Sequence, residues 1–235
     1  MSSPRPPLLT PLLRWFLFAM ILANISGAMI YPLLPVYLSE LGATVGQVGL
    51  VFSLASLVPL LLQIFGGWLS DTIGRLRAIA IGASAATFGY FVMVLAPSWQ
   101  WVLAGLSLEY ISGALVGPSF GAFVAEQSSE KTRGRVFGLT NSLFTVVQVV
   151  GPPLGGLLAF RWGFRLMLLV GAVLYAVATT LRLWMARQAR FAGPRAPQRP
   201  TLATFRSNLA ALAGLIGAGG IVTWILITDG VRDIA

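Results

Sequence analysis

Glu109 stands inside an otherwise apolar stretch, eight residues after Trp101. At 1.5 Å per helical residue this is roughly 12 Å along a helix axis, near the bilayer midplane if Trp101 marks the interface. A carboxylate at that depth costs at least a few kcal/mol and is paired, protonated or turned towards water. Its chemistry would be to bind and release a proton or a cation; the competing role is a hydrogen-bonded or water-solvated structural carboxyl. Other polar groups share the apolar surroundings. Asn24 and Tyr31 are seven residues apart and so lie on one helix face, while Gln63 and Gln148 occur at depth in later apolar blocks. Together they could line a cavity, and singly each could hydrogen-bond a neighbouring helix. Near the end of the chain, Asp229, Arg232 and Asp233 have the i, i+3, i+4 spacing of one helix face.

Much other chemistry is absent from the composition. There is no histidine and no cysteine, which removes Ser-His triads, disulfides and His- or Cys-ligated metals. No metal site is expected. No acid pair clusters within the apolar blocks, so an enzyme is not expected either. Gly214–Gly220 has neither the spacing nor the strand context of a dinucleotide site, and no phosphate-binding Walker loop is present. No cofactor is expected, and ATP is excluded as an energy source within this chain. Asn24-Ile25-Ser26 has a glycosylation pattern but sits inside an apolar block.

The elements that position these groups follow from hydropathy. Of 235 residues, 57% are hydrophobic and only 10% charged, against roughly 25% charged in soluble domains. The apolar blocks are Leu13–Tyr37, Val45–Ser70, Ala78–Leu95, Trp101–Ala125, Phe137–Phe160 and Gly163–Met185. Each suits a helix crossing a hydrocarbon core of roughly 30 Å. They lack the alternation of barrel strands, and a bilayer admits only helices or closed barrels. The reading is an all-α membrane protein of six transmembrane helices with the start of a seventh. Arg5 and Arg14 precede an apolar run too long for a signal peptide, so it is read as a retained first helix.

The net charge of +9 arises from sixteen basic and seven acidic residues. The basic residues fall between the apolar blocks, which favours a membrane surface over nucleic acid. Arg5, Arg14, Arg75, Arg77, Lys131, Arg133, Arg135, Arg182, Arg187, Arg190, Arg195, Arg199 and Arg206 all map to one side. Only Arg161 and Arg165 map to the other. That bias predicts a multi-pass protein of the cell membrane with its N-terminus in the cytoplasm. Trp15, Trp68, Trp99, Trp101, Trp162 and Trp184 lie near the predicted helix ends, as an interfacial belt requires.

Residues 1-186 form the six-helix unit, and 187-208, with Gly193, Pro194, Pro197 and Pro200, read as a cytoplasmic linker. Residues 209-235 begin a seventh helix in one of two registers. Either Leu209–Ile227 spans and Asp229 emerges outside, or the helix starts near Gly220 and carries Asp229, Arg232 and Asp233 into the membrane; the second is preferred. The chain has no natural stop and is expected to be a fragment.

Three segments carry a family resemblance. Gly67-Trp68-Leu69-Ser70-Asp71-Thr72-Ile73-Gly74-Arg75-Leu76-Arg77, between the second and third helices, combines turn-permitting glycines with a carboxylate at a helix end and an arginine able to pair with it. It resembles the signature loop of the major facilitator superfamily at Gly67, Leu69, Asp71, Gly74 and Arg75, and departs from it at Thr72 and Leu76. Gly151-Pro152-Pro153-Leu154-Gly155-Gly156 on the fifth helix resembles the superfamily's antiporter signature, with Val147 replacing its first glycine. Gly151 and Gly155 are spaced for close helix packing, and Pro152 and Pro153 are expected to bend the helix. Tyr31-Pro32-Leu33-Leu34-Pro35 resembles the end of helix one in multidrug-type members.

The resemblance covers roughly residues 12–186. It implies two three-helix repeats inverted relative to each other; the two triplets show no convincing identity to the eye. It also implies that Glu126 partners Arg75 in a charge cluster with Asp71, a conformational latch. Proton-coupled relatives carry an arginine four residues before the glycine that Gly113 matches, and Glu109 occupies that place here. The implied function is a secondary transporter working by alternating access, with protons and a small-molecule substrate as partners and a C-terminal half missing from this chain. The antiporter signature tilts the expectation to efflux of small amphipathic compounds. The alternatives are an importer of a sugar or organic acid in the same fold, or a truncated, nontransporting membrane scaffold. A tag inserted in the Arg133 turn is expected to be shielded in intact cells and reached only after permeabilisation; labelling from outside would overturn the topology.

Overall fold

A computed structural model describes residues 9–191 of the chain. Helix α1 (Pro11–Ile30) begins at Thr10, whose hydroxyl accepts the Leu13 N–H at 3.2 Å, with Pro11 in the first turn where a missing N–H is harmless. A short 3₁₀ turn, Tyr31–Leu33, and α2 (Leu34–Glu40) continue the same traverse. Pro32 and Pro35 occupy this break and remove two helical donors. α3 (Val45–Ile73) opens with a reciprocal cap between Thr44 and Gln47. α4 (Arg75–Val94), α5 (Trp99–Glu126), α6 (Arg133–Trp162) and α7 (Phe164–Phe191) complete the described chain.

All six expected traverses are present, and among the described residues every regular element is helical. Five traverses are long and apolar enough to cross a membrane. The sixth, α3, has 29 residues, roughly 43 Å of helix, and opens with the apolar stretch Val45–Pro59. α7 runs to Phe191, past the expected unit boundary at residue 186. The remainder of the predicted linker and the seventh helix, with Asp229, Arg232 and Asp233, lie outside the described residues.

The contacts follow a two-fold pattern. α1 packs against α6 and α7, while α5 packs against α3 and α4; α4 and α7 meet each other. Exchanging the first three traverses with the last three maps this set of pairings onto itself. Three helices cross the membrane an odd number of times, so the second triplet is necessarily upside down relative to the first. The symmetry reaches the sequence. Residues 66–83 and 155–172 align without a gap, and Gly66/Gly155, Gly67/Gly156, Leu69/Leu158, Gly74/Gly163, Gly82/Gly171 and Ala83/Ala172 coincide. Gly74 and Gly163 are the positive-φ hinges of their triplets, at +97° and +84°. A repeat therefore exists in the sequence where none was expected to be visible.

Glycine approach fixes the crossings. A β-carbon on Gly66 would collide with the Ala114 carbonyl of α5, and one on Gly155 would collide with the Met29 carbonyl of α1. These are equivalent crossings of the two triplets. Pro118 removes the donor that would pair with the Ala114 carbonyl, and Pro32 does the same to that of Ala28, which Gly151 contacts. The freed Ala114 carbonyl faces the Gly66 backbone, where a Cα–H···O contact is available, whereas Gly151 meets the β-carbon and backbone carbons of Ala28. Gly67 and Gly156 have open space around the position of a β-carbon, so Gly66 and not Gly67 makes the close approach in the signature segment. Helix α6 is continuous through Pro152 and Pro153, which deprive the carbonyls of Gln148 and Val149 of their helical donors. Gly155→Ala is expected to lower stability by ~1–3 kcal/mol and Gly156→Ala by less than ~0.5 kcal/mol, read as the thermal transition of detergent-purified protein.

Candidate functional site: a central cavity and a charge cluster

A cavity of about 280 Å³ opens between α1, α4, α5, α6 and α7. Small residues make the space. Gly113 and Gly117 lie one turn apart on α5 with nothing opposite their missing β-carbons, and Gly27 and Ala28 thin the facing wall of α1. Four of the polar residues singled out from sequence converge here: Asn24, Tyr31, Glu109 and Gln148 all line this cavity. Gln63 is on α3, and its side chain lies outside the described set.

Glu109 sits ten residues into α5, roughly 15 Å from its start, with the Tyr31 hydroxyl within interaction range of its carboxyl. Asn24 donates its amide N–H to the Met20 carbonyl at 2.8 Å. The tyrosines Tyr90 and Tyr175 form an aromatic wall, their ring centroids 5.0 Å apart, and the Tyr175 hydroxyl lies 3.3 Å from Ser112 Oγ. Asn24 and Glu109 occupy equivalent places in the two triplets. Each lies five residues before the carbonyl, Met29 or Ala114, on which the partner glycine rests. The arrangement offers a carboxyl, a phenol and two amides around a space that holds water or a small organic molecule. It is close to the lower bound, ~300 Å³, of ordinary ligand sites.

Arg182 was expected among the basic residues of the membrane surface. The structure overturns this: its side chain is 1% exposed and lines the same cavity. The guanidinium lies 5.6 Å from the Tyr175 ring centroid, and Nη2 reaches Met20 Sδ at 3.0 Å. The sequence signal was Trp184. An interfacial tryptophan placed beyond the arginine puts the arginine on the membrane side of the interface. Ser112, Tyr90 and Tyr175 gave no such signal, because tyrosine and serine are common in buried helix interfaces.

The second cluster lies at the ends of α3 and α5, where α4 begins. Arg75 pairs with Asp71 across the Gly74 hinge, and its Nε donates to Glu126 Oε1 at 3.3 Å. Arg75 Nη1 also lies 3.2 Å from Ser70 Oγ, which accepts from Ser119 Oγ at 2.7 Å. One guanidinium thus ties the α3–α4 corner to the end of α5. The two carboxylate side chains are each 48% exposed, so each pair is worth only ~0–1 kcal/mol. Such a tie is weak enough to open and close.

The model of the Major Facilitator Superfamily matches residues 16–230. The chain belongs to the Major Facilitator Superfamily. Among curated relatives of this superfamily member, the Na(+), Li(+), K(+)/H(+) antiporter of Planococcus maritimus is 28% identical over 167 residues, covering 68% of this chain and 39% of that protein. Quinolone resistance protein NorA of Staphylococcus aureus (strain MRSA252) is 25% identical over 142 residues, covering 60% of this chain and 37% of that protein. The chain thus spans about two-fifths of the length of these relatives. The crystal structure of the human organic anion transporter MFSD10 superposes with a TM-score of 0.63 at 20% identity, covering 77% of this chain and 48% of that one; this likeness establishes the fold.

The chain contains no cysteine, so single substitutions report access directly. Asn24→Cys, Glu109→Cys and Gln148→Cys are expected to react with a small hydrophilic thiol reagent, and Leu106→Cys, at a position 1% exposed, to resist it. The readout is the mass of the intact protein; equal reaction at all four positions would remove the cavity.

Proposed function

We propose that this chain supplies the first six-helix half of a secondary transporter that works by alternating access and exports small amphipathic compounds in exchange for protons. The observation that carries the reading is the convergence of Glu109, Asn24, Tyr31 and Gln148 on one cavity among five helices. Residues 187-208 would then be the linker and 209-235 the start of a second half. The N-terminus, the Arg75 cluster and the Arg133 turn would be cytoplasmic. Glu109 would carry the proton: a carboxyl at membrane depth is neutral or paired, so entry of a cationic substrate group favours its ionisation and proton loss favours substrate entry. The Asp71–Arg75–Glu126 tie would stabilise one of the two access states and release in the other. The names of the two relatives, an ion/H⁺ antiporter and a quinolone resistance protein, support the antiport direction over import of a sugar or organic acid.

The test uses protein expressed from its complete reading frame, reconstituted in vesicles with an imposed pH gradient and a fluorescent amphipathic dye. Substrate-dependent proton flux is expected in the wild type. Glu109→Gln is expected to reduce it to the level of protein-free vesicles while dye binding persists. A wild type without substrate-dependent flux would refute proton antiport, and full coupling in Glu109→Gln would move the proton site elsewhere.

A further inference from the structure

Arg182 has no partner for most of its hydrogen-bonding capacity. Nε and Nη1 are buried without an acceptor among the described residues, and Nη2 meets only the thioether of Met20. A guanidinium stays charged at any accessible pH, and a buried one without a carboxylate is costly. The two ion pairs among the described residues both involve Arg75, so neither Glu109 nor any other described carboxylate neutralises Arg182. Tyr175 offers its ring face, which stabilises the cation without satisfying its donors.

The cavity therefore has two ends of opposite charge. Arg182 stands against Met20 of α1, and Glu109 stands against Tyr31 of the 3₁₀ turn that follows α1. The Tyr31 ring folds back over Gly27, seven residues and roughly 10 Å of helix axis from Met20. Between the ends lie the aromatic rings of Tyr90 and Tyr175. Met20 covers the guanidinium, and an unbranched thioether side chain moves aside at little cost.

We infer that Arg182 is the anchor for an anionic group of the substrate, and that the cavity takes zwitterionic amphipathic compounds, with a carboxylate on Arg182, an aromatic body on Tyr90 and Tyr175, and an ammonium towards Glu109. Once Met20 moves off Nη2, the Nε–Nη2 edge of the planar guanidinium presents two parallel donors, which suit the two oxygens of a carboxylate. The inference rests on the cavity being the substrate site, and it adds the chemical class. A zwitterion also suits exchange with a proton: its ammonium competes with the proton for Glu109, while its carboxylate holds the molecule from the other end.

The test is equilibrium binding to protein from the complete reading frame in nanodiscs, with no gradient, read by intrinsic tryptophan fluorescence. Three probes share one ring system: 4-(piperidin-4-yl)benzoic acid, its methyl ester and its N-acetyl derivative. The acid is expected to bind roughly tenfold or more tightly than either derivative. Arg182→Gln is expected to collapse the acid-to-ester ratio towards one, Arg182→Lys to retain part of it, and Glu109→Gln to collapse the acid-to-N-acetyl ratio. A wild type that binds ester and acid alike would overturn the assignment, as would an Arg182→Gln protein that keeps the ratio or weakens all three probes equally. If Arg182→Gln fails to fold, the wild-type and Arg182→Lys ratios decide the matter by the same criterion. Proton coupling does not enter these ratios. Absent proton flux with the acid preference intact would refute antiport and leave the anchor standing.

Discussion

The bundle depends on backbone meeting backbone. In a membrane no hydrophobic force drives one apolar helix towards another, because lipid is as apolar as leucine; close packing and polar contacts must do it. This chain places glycine at the crossings, and at one of them, Gly66 on Ala114, the facing helix has lost a hydrogen-bond donor to Pro118. Gly66 rests on the Ala114 carbonyl, and Gly151 and Gly155 rest on Ala28 and Met29. The missing β-carbons let the two backbones meet at that level. The central cavity lies beside these crossings, so the same contacts that hold the helices also set the positions of Asn24 and Glu109.

Much of this was legible in the sequence, for identifiable reasons. Apolar length and arginine position mark the traverses, since a bilayer leaves few other solutions. The signature glycines and prolines mark the crossings, although the choice between Gly66 and Gly67 depends on helix rotation, which an all-round apolar helix does not encode in its pattern. The convergence of Asn24, Tyr31, Glu109 and Gln148 followed from their depth. Arg182 was misread because one-sided charge counting treats every arginine near a helix end as surface. Tyr90, Tyr175 and Ser112 were not singled out, because only tertiary packing distinguishes a cavity tyrosine from a core one.

The internal repeat was legible but was missed. Its second and third helices align at one offset, Gly74 with Gly163, while the first helices align at a shorter one, Met29 with Ala114. A single offset therefore aligns only two of the three helices. What survives is the set of glycines, the positions where the inverted triplets need the same backbone geometry, while the apolar side chains between them have been free to vary.

The two hinge corners have diverged in chemistry. Asp71 and Arg75 flank Gly74, and their counterparts across the repeat are Phe160 and Phe164, with the Phe164 ring stacked 5.8 Å from Tyr37. One corner is therefore tied by ions and the other by aromatic contact. Dissolved salt weakens the ion pairs of the first, while the ring stacking of the second carries no charge to screen. A bundle with such unlike corners responds unequally to ionic strength on its two sides.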